Sequence, residues 1–261
     1  YQTTASGNYS HAEGEGTTAS GNRAHAEGEF SIALGETSHA EGLGAQALGG
    51  ASHAEGFQTT ASGNYSHTQN KGTKAFGNAS TAMGIDSKTG AFDGNGDWIP
   101  GSGYGALATG KATTASGYYS SASGYFTEAS GRSSSASGSF SVASGIASHA
   151  EGIATTASGP ASSASGYYTT ASGDYSHAEG TYTTASGYGA HAEGGDTQAL
   201  GNHSHAEGNE TTAYNAYSHA EGRYTIAGGK SSHAEGRSTT ASADYSHAEG
   251  YQSVASGAYS H

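Results

Sequence analysis

Small and polar residues alternate along this chain in units of seven. The third residue of each unit is Ser, Thr or Ala and the fifth is Ala in 33 of 34 units, while the fourth and sixth vary more. This alternation predicts a short β-strand with its third and fifth side chains on one face and its fourth and sixth on the other. The seventh residue is Gly in 31 of the 34 units, so we expect a turn with positive φ after each strand.

The heptads come in two alternating kinds that together predict a solenoid. A Ser-led heptad such as SHAEG is followed by a mostly Thr-led one such as TTASG. Two strands then make one coil of fourteen residues, so the predicted fold class is an all-β parallel β-roll or β-solenoid with two short strands per coil. The register holds through residues 1–84 and again through 104–261. We expect residues 85–103 to form a non-repeat excursion or hairpin between these two repeat domains.

Composition excludes several classes of protein. Gly in every heptad would cost a helix about 1 kcal/mol each time, which rules out a coiled coil. A net charge of −13 with nine Lys and Arg argues against binding to nucleic acid, whose phosphates need clustered basic residues. The chain has no run of 18 apolar residues that could span a membrane and no Cys for disulfides or thiolate metal sites. It begins in mid-repeat, so we interpret it as a segment of something longer.

The predicted interior is thin, because only Ser, Thr, Ala and Gly occupy the inward positions. Burying one Ala methyl contributes about 0.8 kcal/mol, and ordering the residue that carries it costs more. A single roll of this kind is therefore marginal, and we expect several rolls to associate side by side.

A histidine followed two residues later by a glutamate recurs on the outward face of the Ser-led strands. Thirteen of the fourteen His residues occupy the fourth heptad position, and eleven of them have this glutamate. The pairs are His11/Glu13, His25/Glu27, His39/Glu41, His53/Glu55, His149/Glu151, His177/Glu179, His191/Glu193, His205/Glu207, His219/Glu221, His233/Glu235 and His247/Glu249.

Three readings of these pairs stand side by side. In a structural ladder, each His donates to a Glu of its own or a neighbouring chain. A metal site would use the imidazoles as ligands of Zn or Ni, but it needs ligands that converge, whereas a column projects them in parallel. Three equivalent His of a trimer could converge on its axis. Catalysis needs a pocket and unlike partners, which eleven equivalent copies on a flat face do not offer, so we predict no enzyme and no catalytic residues.

The stretch at 85–103 carries a different candidate site. Phe92 and Trp98 flank DGNGD, which predicts a looped excursion with an aromatic pair that is a possible ligand contact. Asp93, Asn95 and Asp97 match the first half of a calcium loop. Trp98 stands where that loop needs Gly, and no Glu occupies its twelfth position. A calcium site and a plain structural excursion both remain open, and we expect no other cofactor.

Most tyrosines fall at the turns, immediately before the residue that starts a strand. There they can stack between coils or offer an aromatic edge to a glycan or protein. They include Tyr9, Tyr65, Tyr119, Tyr168, Tyr175, Tyr217, Tyr245 and Tyr259.

The pattern S-x-A-x-G-x-x-S-x-A-x-G, as in SHAEGEGTTASG and SIALGETSHAEG, resembles the YadA-like head repeats of trimeric autotransporter adhesins. The resemblance implies a left-handed parallel β-roll, a parallel homotrimer and display on a cell-surface fibre. It also implies adhesion to host cells, extracellular matrix or other surfaces. The partners would be two further copies of the chain and a host surface protein or glycan. The family often has Val and Ile where this chain repeats His and Glu.

Other functions fit the same architecture. Similar repeats occur in phage tail fibres, and a structural spacer in a long fibre is equally compatible with them. An ice-binding solenoid is a further reading, since Thr residues form an outward row, but Ile32, Lys74, Glu128 and Val142 interrupt that row. Because the SHAEG strands repeat the same outward residues while the Thr-led strands vary, we expect the His–Glu ladder to face the trimer interface.

Overall fold

The computed structural model describes residues 2–91, 99 and 101–261, and within them the chain forms only β-strands, turns and bends. It divides into two compact units, Tyr1–Gly138 and Ser139–His261. Strands of two residues alternate with strands of five residues through both units, except that β34 near the C-terminal end has two residues.

The strands that begin in the first unit are numbered here in chain order. They are β1 (Thr4–Ala5), β2 (His11–Glu15), β3 (Thr18–Ala19), β4 (His25–Glu29), β5 (Ile32–Ala33), β6 (His39–Leu43), β7 (Gln46–Ala47), β8 (His53–Phe57), β9 (Thr60–Ala61), β10 (His67–Lys71), β11 (Lys74–Ala75), β12 (Thr81–Ile85), β13 (Lys88–Thr89), β14 (Leu107–Lys111), β15 (Thr114–Ala115), β16 (Ser121–Tyr125), β17 (Glu128–Ala129) and β18 (Ser135–Ser139).

The second unit continues the same alternation. Its strands are β19 (Val142–Ala143), β20 (His149–Ile153), β21 (Thr156–Ala157), β22 (Ser163–Tyr167), β23 (Thr170–Ala171), β24 (His177–Thr181), β25 (Thr184–Ala185), β26 (His191–Gly195), β27 (Gln198–Ala199), β28 (His205–Asn209), β29 (Thr212–Ala213), β30 (His219–Arg223), β31 (Ile226–Ala227), β32 (His233–Arg237), β33 (Thr240–Ala241), β34 (His247–Ala248) and β35 (Val254–Ala255).

Within each unit the strands pair in parallel with the next strand of their own kind. The five-residue strands carry the Ser-led heptads and form one sheet, as in β4–β6 and β28–β30. The two-residue strands carry the second kind of heptad and form the other, as in β3–β5 and β25–β27. Paired residues are fourteen apart, for example Ala26 and Ala40. The prediction of a parallel β-solenoid with two strands per coil is confirmed.

The interior is made of the small residues that the alternation predicts. Away from the two ends of the chain, the alanines at the fifth heptad position are buried, as at Ala40 and Ala206, and so is the Ser or Thr at the third position, as at Ser38 and Thr183. Thr68 replaces Ala in one coil and is also fully buried. Side chains of this size let the two sheets approach closely, which accounts for the near absence of large apolar residues inside.

The buried serines have a specific partner, which explains why Ser leads one kind of heptad. The Ser38 hydroxyl donates a hydrogen bond of 2.7 Å to the Gly35 carbonyl, and Ser204 donates to Gly201 in the same way at 2.7 Å. The Gly35 carbonyl also accepts the Ser38 backbone N–H at 3.2 Å, so the hydroxyl adds a second hydrogen bond to this turn and satisfies its own buried oxygen.

The turns differ from the sequence prediction in one respect. Glycines that end the Ser-led heptads do have positive φ, as Gly208 does at 111°, and Asn70 adopts 83° in the same position. The expectation of positive φ is wrong for glycines that end the other heptads. Gly21 is required there for space, because a Cβ on it would overlap the carbonyl of Gly35 in the next coil.

The second heptad position carries the left-handed conformation that the sequence analysis missed. Residues with side chains adopt it there, such as Tyr9 at 59° and Phe30 at 55°. The amide of Phe30 donates to the Glu15 carbonyl of the preceding coil at 2.8 Å, and that of Arg23 donates to Asn8 at 2.8 Å. This inter-coil hydrogen bond offsets the cost of a left-handed non-Gly residue.

The first part of residues 85–103 continues the coil pattern. Lys88–Thr89 forms β13, which pairs with β11 and with β15. In the other sheet, Thr81 pairs with Leu107, so the offset there is 26 residues rather than fourteen. The extra twelve residues lie between β13 and β14, and Ala91 and Ser102 meet there through a hydrogen bond of 2.8 Å.

Candidate functional site

The outward face of the five-residue strands places histidine above histidine. His and Glu occupy the fourth and sixth heptad positions, which point to the same side of a strand. In-register parallel pairing then aligns His39 with His53 and Glu41 with Glu55. Two runs result. The first column is His11, His25, His39, His53 and His67, and the second column is His177, His191, His205, His219, His233, His247 and His261.

Ring spacing is nearly constant in both columns, and ring orientation is not. Centroids of neighbouring rings lie 4.7 to 5.0 Å apart. The planes of His39 and His53 differ by 2°, and those of His205 and His219 by 6°. At the end of the second column, His247 and His261 meet edge to face at 90°. His149 pairs with Ser163 and so has no ring on that side.

The structure brings most of the predicted His–Glu pairs together within a single strand. In ten of the eleven pairs, all in the described part of the chain, the His Nε2 and Glu Oε2 atoms lie close together. These pairs are His11/Glu13, His25/Glu27, His39/Glu41, His149/Glu151, His177/Glu179, His191/Glu193, His205/Glu207, His219/Glu221, His233/Glu235 and His247/Glu249, with separations of 3.3 to 3.9 Å.

The remaining pair is the exception to this pattern. His53 and Glu55 are not within this range, and Glu55 instead accepts a hydrogen bond of 3.3 Å from Gln69 of the next coil. The contacts of the ladder therefore lie within one strand and between coils of the same chain.

Within a single chain, the ladder glutamates are half-buried or exposed. The chain's own residues therefore do not cover them as a packed interface would. Half-buried glutamates are Glu55, Glu207, Glu221 and Glu235. Exposed glutamates are Glu13, Glu27, Glu41, Glu151, Glu179, Glu193 and Glu249. An ion pair that stays in water contributes little to stability, so these contacts orient the side chains more than they hold the roll together. Their predicted place at the trimer interface stays a prediction.

Burial lowers the pKa of several column histidines below the ordinary value. Desolvation is the largest cause, and a neighbouring histidine of the same column adds to it, while nearby glutamates act in the opposite direction. These imidazoles are neutral at neutral pH. They are His39, His53, His191, His205 and His219.

Stacking also covers the Nε2 atoms of the inner rings. Those of His219, His233 and His247 are buried and make no hydrogen bond to the described residues, although a carboxylate oxygen lies 3.6 to 3.9 Å away. In the more exposed His149, by contrast, Nε2 hydrogen-bonds Glu151 at 3.3 Å. The inner part of the second column therefore carries polar atoms that the chain itself does not satisfy.

Two trios in the second column have the donor set of a metal site. One nitrogen or carboxylate oxygen from each of His219, Glu221 and His233 lies within 4.8 Å of the others, and the same holds for His233, Glu235 and His247. The sequence analysis expected parallel side chains that do not converge within one chain. In the structure the ligand atoms of these trios do lie together, with neighbouring rings less than 5 Å apart.

The predicted calcium and ligand residues of the excursion, Phe92, Asp93, Asn95, Asp97 and Trp98, lie outside the described residues. Both predictions therefore stay predictions. Trp98 is the single tryptophan of the chain, so its fluorescence on addition of Ca²⁺ reports directly on the proposed loop.

Tyrosines line the edges of the coils, and their stacking between coils is confirmed in the second unit. Tyr245 and Tyr259 stack at 5.1 Å with nearly parallel planes, and Tyr175 meets Tyr188 at 5.4 Å. His203, which the sequence analysis left as an isolated turn residue, lies 5.3 Å from Tyr188 and 5.4 Å from Tyr217. His203 has the heptad position that Tyr217 occupies in the following coil, whereas Tyr188 of the preceding coil stands one position earlier.

These features define a repetitive β-solenoid with ordered side-chain columns on its surface. The family model described as YadA head domain repeat (2 copies) matches residues 12–38, 102–127, 150–176 and 178–204. Those four segments therefore match YadA head domain repeats, which confirms the resemblance seen in the sequence. Repeats and solenoids of this kind are typically structural and adhesive rather than catalytic, and the YadA family is trimeric in general and belongs to surface-exposed fibres.

No curated protein matches this chain. Among the described residues, no helix has the length and apolar character needed to cross a bilayer.

Proposed function

We propose that this chain is the head of a surface fibre that attaches to host cells, extracellular matrix or other surfaces. In this proposal three copies assemble in parallel, each wound as a left-handed roll. The observation that carries it is the presence of YadA head domain repeats in both units of the chain. A cell-surface location and a host protein or glycan as partner follow from the same proposal.

The regular surface supports attachment rather than catalysis. Catalysis needs a concave pocket with unlike groups held in one arrangement. Here the same pair of side chains recurs on strand after strand and remains partly exposed, with side-chain exposure of 31 to 61% for the paired histidines. Three parallel heads gain avidity, because binding by one head raises the effective concentration of the others.

In each unit, the face that carries the histidine column is the one we propose to meet the other chains. Its outward residues are uniform, as a fixed packing environment favours. The two-residue strands instead carry Lys74, Glu128 and Val142 at equivalent outward positions, as a solvent face allows.

The mass in solution at neutral pH, measured by light scattering, tests the assembly. We expect a mass near three chains for the native protein. Substituting His191→Lys and His205→Lys puts like charges on the proposed interface and should lower the mass to one chain. The matched control is Thr170→Lys with Thr184→Lys on the other sheet, which should leave the mass unchanged. A native monomer, or equal effects of both variants, contradicts the proposed arrangement.

Adhesion is tested separately, on immobilised matrix proteins and cultured cells. We expect saturable binding by the native chain. The row of Tyr175, Tyr188 and Tyr217 is the described candidate contact, and replacing all three with Ser should weaken binding without changing the mass. Replacing Phe92 and Trp98 with Ala tests the other predicted contact in the same assay. A chain with the expected mass that binds none of these surfaces favours a structural spacer.

A further inference from the structure

The inner part of the second column has chemistry that neither the repeat family nor attachment requires. His219, Glu221, His233, Glu235 and His247 lie on three successive strands, β30, β32 and β34. Parallel pairing aligns His219 with His233 and His233 with His247, so their backbone positions are fixed by the sheet. Imidazole nitrogens and carboxylate oxygens are the preferred ligands of Zn²⁺ among side chains without sulfur.

One observation distinguishes this segment from the rest of the ladder. Glu221 and Glu235 have the least exposed side chains among the glutamates in the ten close pairs, at 39 and 36%. The Nε2 atoms of His219, His233 and His247 are buried without a hydrogen-bond partner among the described residues, a property shared with His25, His39, His53, His191 and His205. A metal ion would satisfy these nitrogens, whereas a structural ladder leaves them unpaired.

We propose that this segment binds one Zn²⁺ or a similar late first-row divalent ion per chain, through two imidazoles and one carboxylate. The two trios share His233, so an ion in one removes a ligand from the other, and single occupancy follows. All the ligand atoms come from one chain, so the inference does not depend on trimer formation. Water or a group from another molecule completes the coordination.

The geometry needs only a local adjustment. Zinc bonds to nitrogen and oxygen are about 2.0 to 2.2 Å, so ligand atoms of one tetrahedral ion lie about 3.4 Å apart. His219 and Glu221 are already 3.6 Å apart, as are His233 and Glu235. The imidazoles of His219 and His233 are nearly parallel with centroids 4.7 Å apart, and they must tilt toward each other to share an ion. Their outward position allows this tilt while the backbone stays paired.

The first column supplies a matched internal control. His39 and His53 stack as closely as the second-column rings, at 4.8 Å. However, His39 and Glu41 are 3.9 Å apart, and Glu55 is engaged by Gln69. Among the described residues, the trios whose three ligand atoms all lie within 4.8 Å of one another are those of the second column. A histidine column alone is therefore not the proposed site.

Calorimetric titration of ZnCl₂ into the full chain, after treatment with a chelator, tests the proposal. We expect one ion per chain in the native protein. His233→Gln removes a ligand of both trios and should weaken binding by more than about tenfold. His39→Gln should leave both affinity and stoichiometry unchanged. X-ray absorption of the zinc-loaded native chain should show two imidazole nitrogens, and this measurement does not depend on any variant folding.

Absence of zinc binding by the native chain overturns the proposal, as does equal binding by the native chain and His233→Gln. Equal loss in His233→Gln and His39→Gln also overturns it, because binding would then belong to surface histidines in general. Light scattering on the same samples keeps this outcome separate from the assembly. A trimer that does not bind zinc contradicts the site alone, and a monomer that binds one ion contradicts the assembly alone.

Discussion

The first and second columns are built from the same heptad, yet their rings are ordered differently. In the first column the successive ring planes differ by 58, 30, 2 and 80°. In the second column the four inner pairs differ by only 6 to 12°, while both end pairs are edge to face. The distance between neighbouring rings is the same in both columns, so the paired backbone sets it. The angle between neighbouring ring planes depends instead on the number of rings in the column.

The difference shows how neighbours order a side chain. A ring whose two neighbours are themselves inner rings stacks on both, as His219 does, whereas the contact between an end ring and its single neighbour is tilted or edge to face. The first column ends at His67, where Thr68, Gln69 and Asn70 replace the usual Ala, Glu and Gly. With five rings rather than seven, it has fewer inner pairs. Substitutions in equivalent positions of the two columns can therefore separate the effects of backbone, interior and ring.

The largest expected effect comes from the backbone of the second column. Gly208→Val forces a β-branched residue into a φ of 111° and against the Gly222 carbonyl. We expect a loss of about 3 kcal/mol or more in the free energy of unfolding. Asn70→Gly, at the same position of the first column, should change stability little because Asn70 already adopts positive φ. Thermal unfolding measures both, and equal melting temperatures contradict the prediction.

Substitutions in the interior beneath the two columns should change the free energy of unfolding by an intermediate amount, with opposite signs. Ala206→Val adds two methyl groups to a space that Ala fills and should destabilise the chain by about 1 to 3 kcal/mol. Thr68 already has that volume, and its buried hydroxyl has no partner among the described residues. Thr68→Val should therefore stabilise by about 1 kcal/mol. Chemical denaturation checks the signs, and destabilisation by both variants would contradict this account.

Acid should destabilise both columns by a smaller amount per residue. Burial lowers the pKa of His39 and His53 in the folded chain, so the unfolded chain binds protons first as the pH falls. Stability is constant above about pH 6.5 and declines below it, until the folded histidines are protonated too. The His39 side chain is 39% exposed, so solvent screening keeps each contribution below about 1 kcal/mol.

A double variant isolates this acid effect. His39→Ser with His53→Ser introduces the residue found at the same heptad position in Ser121 and Ser163. We expect the variant to lose less melting temperature than the native chain between pH 7.5 and 5. An identical acid loss in both would show that the column histidines do not cause it.

The smallest expected effect lies at the aromatic edge. Tyr217→Ser removes a ring stacked on His203 at 5.4 Å and should cost about 0.5 to 1 kcal/mol. Tyr65→Ser in the first unit removes a side chain that is 74% exposed, and the change should stay within about 0.5 kcal/mol. Thermal unfolding of the two variants compares the units, and a larger loss at Tyr65 would contradict the role of stacking.

Much of the fold could be predicted because the repeat makes one local rule visible many times. The alternation around Ala40 identified the interior, and the fourteen-residue period identified the coil. The corners could not be predicted in detail. Tyr9 and Phe30 adopt a conformation that glycine usually supplies, since an inter-coil hydrogen bond holds residues such as Phe30 there, and a single sequence does not display that bond.

The candidate site was predictable in its residues but not in its geometry. His219 and Glu221 are two residues apart in a predicted strand, so their heptad positions place both side chains on one face. Whether they converge with His233 depends on ring orientation and on how far each glutamate lies over its histidine. Those quantities differ between strands with the same SHAEG sequence, so they come from neighbouring coils rather than from the heptad itself.

The constant offset between paired residues has a consequence for how such a gene can change. Ala26, Ala40 and Ala54 occupy equivalent places, so deleting fourteen codons joins two coils whose hydrogen bonds and buried alanines already match. Duplicating fourteen codons does the same in the other direction. A change of seven codons would instead join two strands of the same kind and put a five-residue strand where a two-residue strand belongs. Recombination between repeats can thus lengthen or shorten the protein in whole coils while each coil keeps its neighbours.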